Sequence, residues 1–138
     1  MVEHGPGYLE VLSEEECQKL LAARTVGRIA FTVDGQPEIF PVSYVADGSA
    51  IVFRTGDETM LLESVQRRVA FEIDDWDTST GTAWSVMVRG VAQEITGALD
   101  KHAVALRSRP VVPLAPGKRE RWLAVYPSEV SGRRFHFA

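Results

Sequence analysis

Period-two alternation of apolar and polar residues recurs along this chain, and its interruptions mark the predicted elements. Ile29, Phe31 and Val33 alternate with Arg28, Ala30 and Thr32, the pattern of a strand with one buried face. Asp34-Gly35 then gives a type I′ hairpin signal. The return strand, residues 38–45, carries Pro41 in its middle. A proline has no N–H for a ladder, so this strand is an edge, a bulge, or faces something other than a strand there. Asp47-Gly48 makes a second turn into residues 50–55, a continuous apolar, β-branched run that predicts a strand buried on both faces. Three strands joined by two tight turns predict an antiparallel meander. Val69, Phe71 and Ile73 alternate with Ala70, Glu72 and Asp74 to make a further one-faced strand, and residues 75–81 are a polar loop.

The longest predicted strand covers residues 83–96, with Trp84, Val86 and Val88 on one face. Gly90 within it predicts a bulge or a close approach by another backbone. Closing strands follow around Gly132-Arg133-Arg134, supplied by Trp122, Leu123, Val125, Tyr126, Val130, Phe135 and Phe137. Three short helices are predicted as well. Ser13 and Glu16 form a capping box, with Cys17, Leu20 and Leu21 on the packed face behind it. Thr55 and Glu58 repeat that spacing before Met60, Leu61 and Val65, with Arg67 and Arg68 at the favoured cationic end. Residues 98–106 form the third helix, and residues 107–117, with Pro110, Pro113 and Pro116, form a loop. Residues 1–12 read as an arm and 13–138 as one domain. The fold class expected is all-β dominated: six or so antiparallel strands in a closed or nearly closed barrel with short flanking helices.

Composition excludes several classes of function. The hydrophobic fraction of 45% and charged fraction of 25% are those of a soluble globular domain. A net charge of −4 argues against nucleic acid as the main partner. No apolar run approaches the roughly 20 residues of a membrane helix. The N-terminal residues lack a signal-peptide layout, and the lone Cys17 points to a reducing cytoplasm. His4, His102 and His136 have no ligand-spaced Cys or carboxylate, so no metal site is expected. Asp74, Asp75 and Asp77 read as a solvated turn before a cation site. The basic residues Lys118, Arg119, Arg121, Arg133 and Arg134 read as a solvated edge before a phosphate contact. The strand at 50–55 running into a helix beside Arg54, Thr55 and Thr59 is a candidate anion pocket, against the plainer reading of a capped helix with a surface arginine.

Beyond these local signals stands an ordered set of short matches. Leu12-Ser13, Cys17, Val26-Gly27-Arg28-Ile29-Ala30, Gly35-Gln36-Pro37, Pro41-Val42 and Phe53-Arg54-Thr55-Gly56 resemble the pyridoxamine 5′-phosphate oxidase-like, flavin-binding split-barrel family. Phe71-Glu72-Ile73-Asp74, Trp84-Ser85-Val86-Met87-Val88-Arg89-Gly90 and Gly132-Arg133-Arg134 extend the likeness over roughly residues 12–134. It is nearer to the small actinobacterial-type members than to the vitamin-making enzyme. The resemblance implies a six-stranded split barrel that dimerises, with flavin mononucleotide (FMN) in grooves shared by two subunits. It implies that Pro41, Val42 and Ser43 lie along the isoalloxazine, which would explain a proline in a strand with no wet face. It places Phe53 among the cofactor-binding residues, Arg54 and Thr55 near the ribityl-phosphate, Thr59 in the phosphate turn, and Trp84 and Ser85 on a neighbouring strand that reaches the flavin.

One departure stands out. Family members commonly carry a lysine or arginine just after the Thr59 position, where this chain reads Glu58-Thr59-Met60. Losing a charge-assisted hydrogen bond costs about 1.5–3 kcal/mol, for which Arg54 or a tail arginine would have to compensate. The expected function is therefore a flavin-dependent oxidoreductase acting on a small-molecule substrate, with no general acid or base assignable. The alternatives are a deazaflavin coenzyme on the same fold and a non-catalytic binding module that has lost its phosphate anchor. Heme in the groove would need an axial ligand, for which Met60 and Tyr44 are the available residues. A homodimer is expected because both faces of residues 83–96 and of 38–45 are apolar and a barrel has one inside, unless the short helices cover them.

Overall fold

The computed structural model describes residues 7–114 and 117–137. Eight antiparallel strands form one curled sheet: β1 (Tyr8–Val11), β2 (Val26–Val33), β3 (Gln36–Ser43), β4 (Val45–Ala46), β5 (Ile51–Thr55), β6 (Arg68–Asp77), β7 (Thr82–Glu94) and β8 (Arg121–His136). Two helices, α1 (Glu14–Ala23) and α2 (Lys101–Arg107), and a 3₁₀ helix (Met60–Ser64) complete it. The hydrogen-bonded order is β3-β2-β6-β7-β8-β5-β4, with β1 on the far end of β8. Six of these strands make the expected split barrel; the four-residue β1 and two-residue β4 are additions.

Alternation places the core as anticipated. Ile29 lies opposite Phe71, Phe71 opposite Val88 and Ile73 opposite Val86, and all five are buried on the inner face. Asp34 and Gly35 take positive φ (50° and 77°), as a type I′ turn requires. The Ser13–Glu16 capping box is present, and Cys17 and Leu21 turn inward from α1. The β7–β8 ladder shifts register between Arg89 and Gly90. A Cβ on Gly90 would lie 2.2 Å from the Tyr126 carbonyl oxygen, so the close backbone approach is real.

Long-range pairing departs from the local reading in several places. The meander does not form: β2 and β3 make a hairpin at one end of the sheet, while β4 and β5 make another at the opposite end. β5 is buried on both faces, with Ile51 and Phe53 in the barrel core and Val52 under α2, and it gains its ladder from β8. A strand carrying a proline is confined to an edge, and β3 is that edge. Residues 8–11 are not a free arm. They pair with residues 133–136 of β8, whose outer edge β5 does not reach. The first six residues of the expected arm, and Pro116 of the proline-rich loop, lie outside the described residues.

β6 continues through Asp77 where a loop is expected: it pairs with β7 along its whole length, and its exposed Asp74 and Asp75 are met by Arg28 and Arg24. β8, not β7, is the longest strand, at 16 residues. The closing strands expected around Gly132-Arg133-Arg134 are this one continuous strand, and its Pro127 falls opposite Gly90 at the register shift, where a proline is tolerated. α2 covers the outer face of β5 and the start of β8, packing Ala103 and Leu106 on Val52 and Ala124. No described helix is long and apolar enough to cross a membrane.

Candidate flavin-binding groove

Because β3 and the β4–β5 hairpin are the two ends of the sheet, curling leaves a split between them. A cavity of about 370 Å³ occupies it, within the usual range for small-molecule sites. Pro41, Val42 and Ser43 line it from β3, Arg54 and Thr55 from β5, and Thr59 from the turn that follows. Six of the nine residues expected to bind a cofactor are thus brought together by strands that share no hydrogen bonds. Phe40, Leu61, Pro113 and Leu114 make the remaining wall largely apolar.

The other three expected residues lie elsewhere in this chain. Phe53 is fully buried, because alternation along β5 turns it into the core between Arg54 and Val52. Trp84 and Ser85 lie on β7 outside this cavity. The Trp84 ring stacks under Arg24, whose guanidinium carbon is 5.0 Å from its centroid, and Ser85 pairs with Arg133.

The expected capping box at Thr55 is absent. Thr55 is buried, and its Oγ1 lies 2.5 Å from Thr59 Oγ1, so the two hydroxyls share one hydrogen bond across the turn. Glu58 is left exposed and off the cavity wall. The following segment is a five-residue 3₁₀ helix with no side-chain cap. It is too short and too weakly aligned to act as the expected dipole-based anion site. Any negative charge held here must therefore be met by side chains.

Arg54 is a brace for the loop over the cavity. Its Nε donates to the Arg119 carbonyl at 2.9 Å and its Nη1 to the Val111 carbonyl at 3.3 Å, while the guanidinium lies over Trp122. The carbonyls of residues 111 and 119 are thereby held to β5, and Pro113, Leu114 and Arg119 enter the cavity wall. The loop was legible from its prolines; its role as a lid wall was not, since nothing local links residue 54 to residue 119.

The expected acidic cluster resolves into ordinary electrostatics. Arg28 bridges Glu72 (2.8 Å) and Asp74. Burial and the neighbouring Asp74 push the Glu72 carboxyl up, whereas Arg28 holds Asp74 below the usual carboxylate range. Asp75 pairs with Arg24 at 2.7 Å, and Asp77 accepts from Ser79 and Thr80 in the turn. Among the described residues no group of three or more His, Cys, Asp or Glu is placed to hold a metal ion. Tyr44, considered as a heme ligand, is 2% exposed and its hydroxyl donates to the Leu21 carbonyl at 2.7 Å, so it is committed to the core.

Comparison with known proteins identifies the fold and the family. A solved FAD-binding protein from Mycobacterium smegmatis superposes with a TM-score of 0.77 at 36% identity, covering 93% of this chain and 100% of that one. A FAD-binding protein from Mesorhizobium loti shares the fold, with a TM-score of 0.73 at 23% identity, covering 94% of this chain and 98% of that one. An uncharacterised protein of Mycobacterium tuberculosis is 31% identical over 129 residues, spanning 89% of this chain and 83% of the relative. Residues 13–134 match the family model described as pyridoxamine 5′-phosphate oxidase. The chain therefore belongs to the pyridoxamine 5′-phosphate oxidase-like family of flavin-binding split barrels.

Proposed function

We propose that this chain binds a flavin nucleotide in the split between β3 and β5 and serves as a flavin-dependent oxidoreductase on a small-molecule substrate. The observation that carries the reading is the edge of β3. A strand with an unladdered side and Pro41 at its centre borders a largely apolar slot whose far end bears Thr55, Thr59 and two arginines. That donor set fits a flat heteroaromatic ring joined to a phosphate. When bound, the flavin supplies hydride chemistry of its own.

The chain's residues have positioning work to do. Phe40, Val42 and Leu61 exclude water from one wall of the slot. Pro41 leaves β3 without one N–H, so that part of the edge meets the ring's rim without an unsatisfied donor. Two residues on, the backbone of Ser43 would face the same free edge and could hold the ring's polar rim. Arg54 would hold the Val111 and Arg119 backbone, and with it the Pro113, Leu114 and Arg119 wall, in place beside the slot. FMN is the occupant that the family resemblance implies, and the FAD-binding M. smegmatis relative supports a flavin of either length.

A homodimer completes this proposal. Ala70, Met87 and Val91 are only partly buried on β6 and β7, beyond the reach of α2, and Ile39 on β3 is 64% exposed. Trp84 and Ser85 would then contribute from a strand that borders the partner's groove.

A second reading is favoured by Met60, which is 44% exposed on the rim where a fixed positive charge would serve a phosphate. In that case the chain is a binding module without catalysis. Purified protein titrated with FMN, FAD and a deazaflavin coenzyme, followed by fluorescence quenching, separates these outcomes. A flavin dissociation constant below roughly 100 μM is expected. Tighter binding of the deazaflavin would reassign the coenzyme, and failure of every one would leave the oxidoreductase reading without support.

A further inference from the structure

We propose that Arg119, supplied by the loop over the groove, is the residue that receives the phosphate of the bound nucleotide; this rests on the flavin reading above. The position after Thr59 holds Met60, so the site needs a cation from elsewhere. Three arginines approach the end of β5, and they differ in what they already bind. Arg54 spends Nε and Nη1 on the carbonyls of Arg119 and Val111 and stacks on Trp122. Arg121 engages Glu94 through Nε and Nη2 and reaches Asp57 at 3.4 Å. Arg119 lines the cavity half-buried, and among the described residues its guanidinium makes no hydrogen bond or ion pair. A guanidinium placed against an apolar slot with its planar fork of donors unspent is suited to a phosphate or pyrophosphate oxygen pair.

Gly56 gives independent support. A Cβ built there would lie 2.6 Å from Arg119 Nη1 and 3.2 Å from the Lys118 carbonyl oxygen. Gly56 does not adopt a positive φ, so its missing side chain serves space rather than backbone conformation. The space it leaves is filled by the guanidinium, which is thereby held beside the threonine turn. There, Thr55 and Thr59 share one hydrogen bond between two hydroxyls. One O–H proton is consumed by that pair and the other has only a 3.5 Å contact to the Gly56 carbonyl, leaving it able to donate to a ligand oxygen. Arg119 and the threonine pair thus form a charged end on an otherwise apolar slot. Glu58, the carboxylate that would repel a phosphate, is exposed and does not line the cavity.

The test compares riboflavin, FMN and FAD, which share a ring and differ in phosphate, by fluorescence titration of the full chain. Arg119→Gln is expected to weaken FMN and FAD roughly tenfold or more and to leave riboflavin within about twofold. Arg119→Lys should retain part of the difference, because a point charge remains without the fork. Gly56→Ala, which displaces the guanidinium without removing it, should weaken FMN several-fold and spare riboflavin. Arg54 grips the backbone carbonyl of residue 119, so the loop's brace survives these side-chain changes. Unchanged FMN affinity in Arg119→Gln overturns this inference while the flavin reading stands. Equal weakening of riboflavin and FMN overturns it too, since Arg119 would then act on the ring or the loop. If the unmodified chain binds none of the three, the flavin reading itself fails and this inference falls with it.

Discussion

The hydroxyl of Tyr44 donates to the backbone carbonyl of Leu21 across 2.7 Å, tying the last turn of α1 to the link between β3 and β4. The bond is buried, and the Tyr44 ring meets Phe71 edge-on at 4.8 Å. Through it, the helix that plugs the barrel is held to the strand that borders the groove. Tyr44→Phe keeps the ring but strands a buried carbonyl, at a cost of about 1–3 kcal/mol. Urea unfolding should show a lower midpoint with an unchanged slope; an unaltered midpoint would mean that water replaces the hydroxyl. Burial also pushes the Tyr44 phenol from 10.0 up to about 12. A raised folded pKa means that its contribution to stability is complete below the unfolded value and is lost as pH rises through the folded one. The midpoint of the unmodified chain should therefore fall between about pH 10 and 12, and the variant should flatten that decline.

Glu94 governs the acid side. Hydrogen bonds from Arg121, and then from Thr96, hold its carboxyl below the ordinary 4.5. Thr96 in turn accepts from the Trp122 N–H at 2.9 Å, so the group links the ends of β7 and β8. Because the folded pKa is depressed, the stabilisation is present above pH 4.5 and lost as pH falls through the folded value. Glu94→Gln should be less stable than the unmodified chain at pH 7, with the gap closing toward pH 3. A gap that persists at low pH would show that the carboxylate's charge is not the cause.

Gly90 should tolerate no side chain. A Cβ added there would meet backbone, the Tyr126 carbonyl oxygen at 2.2 Å, rather than a side chain that can swing away. Gly90→Ala is expected to destabilise by about 1–3 kcal/mol or more, and Gly97→Ala, with open space around it, by far less. Equal thermal midpoints for the two variants would contradict the tight β7–β8 crossing.

Restoring a charge on the rim should strengthen the proposed site. Met60 lines the cavity near Thr59, so Met60→Lys is expected to tighten FMN several-fold and leave riboflavin unchanged. On the Arg119→Gln background it should recover much of the lost affinity. Weaker FMN binding by Met60→Lys would argue that this end of the slot does not take a phosphate.

Sedimentation checks the proposed dimer. A species at twice the chain mass is expected at low micromolar concentration, since obligate interfaces commonly bury about 2,000 Å² or more. A clean monomer would remove the shared groove and leave Trp84 and Ser85 with no route to a bound ring.

What the sequence determined by itself was whatever depends on near neighbours. Period two assigned Ile29, Phe71 and Val86 to one inner face, because adjacent side chains must point to opposite sides of a strand. Ser13 and Glu16 could be read as a cap because both partners lie within one helical turn. Asp34-Gly35 and Gly90 announced a turn and a tight crossing through backbone sterics alone. The tertiary structure decided which of several equally local options was taken. Thr55 had a cap three residues on and a hydroxyl four residues on, and the failure of a full helix to form left it with Thr59. β5 followed a tight turn from β3's direction, yet its two buried faces were satisfied only between the barrel core and α2, so it paired with β8. Arg54 and Arg119 are 65 residues apart, and only closure of the sheet brings the first to the carbonyl of the second. A groove made from two sheet ends exists only after every strand between them has found its partner, and no local signal carries that condition.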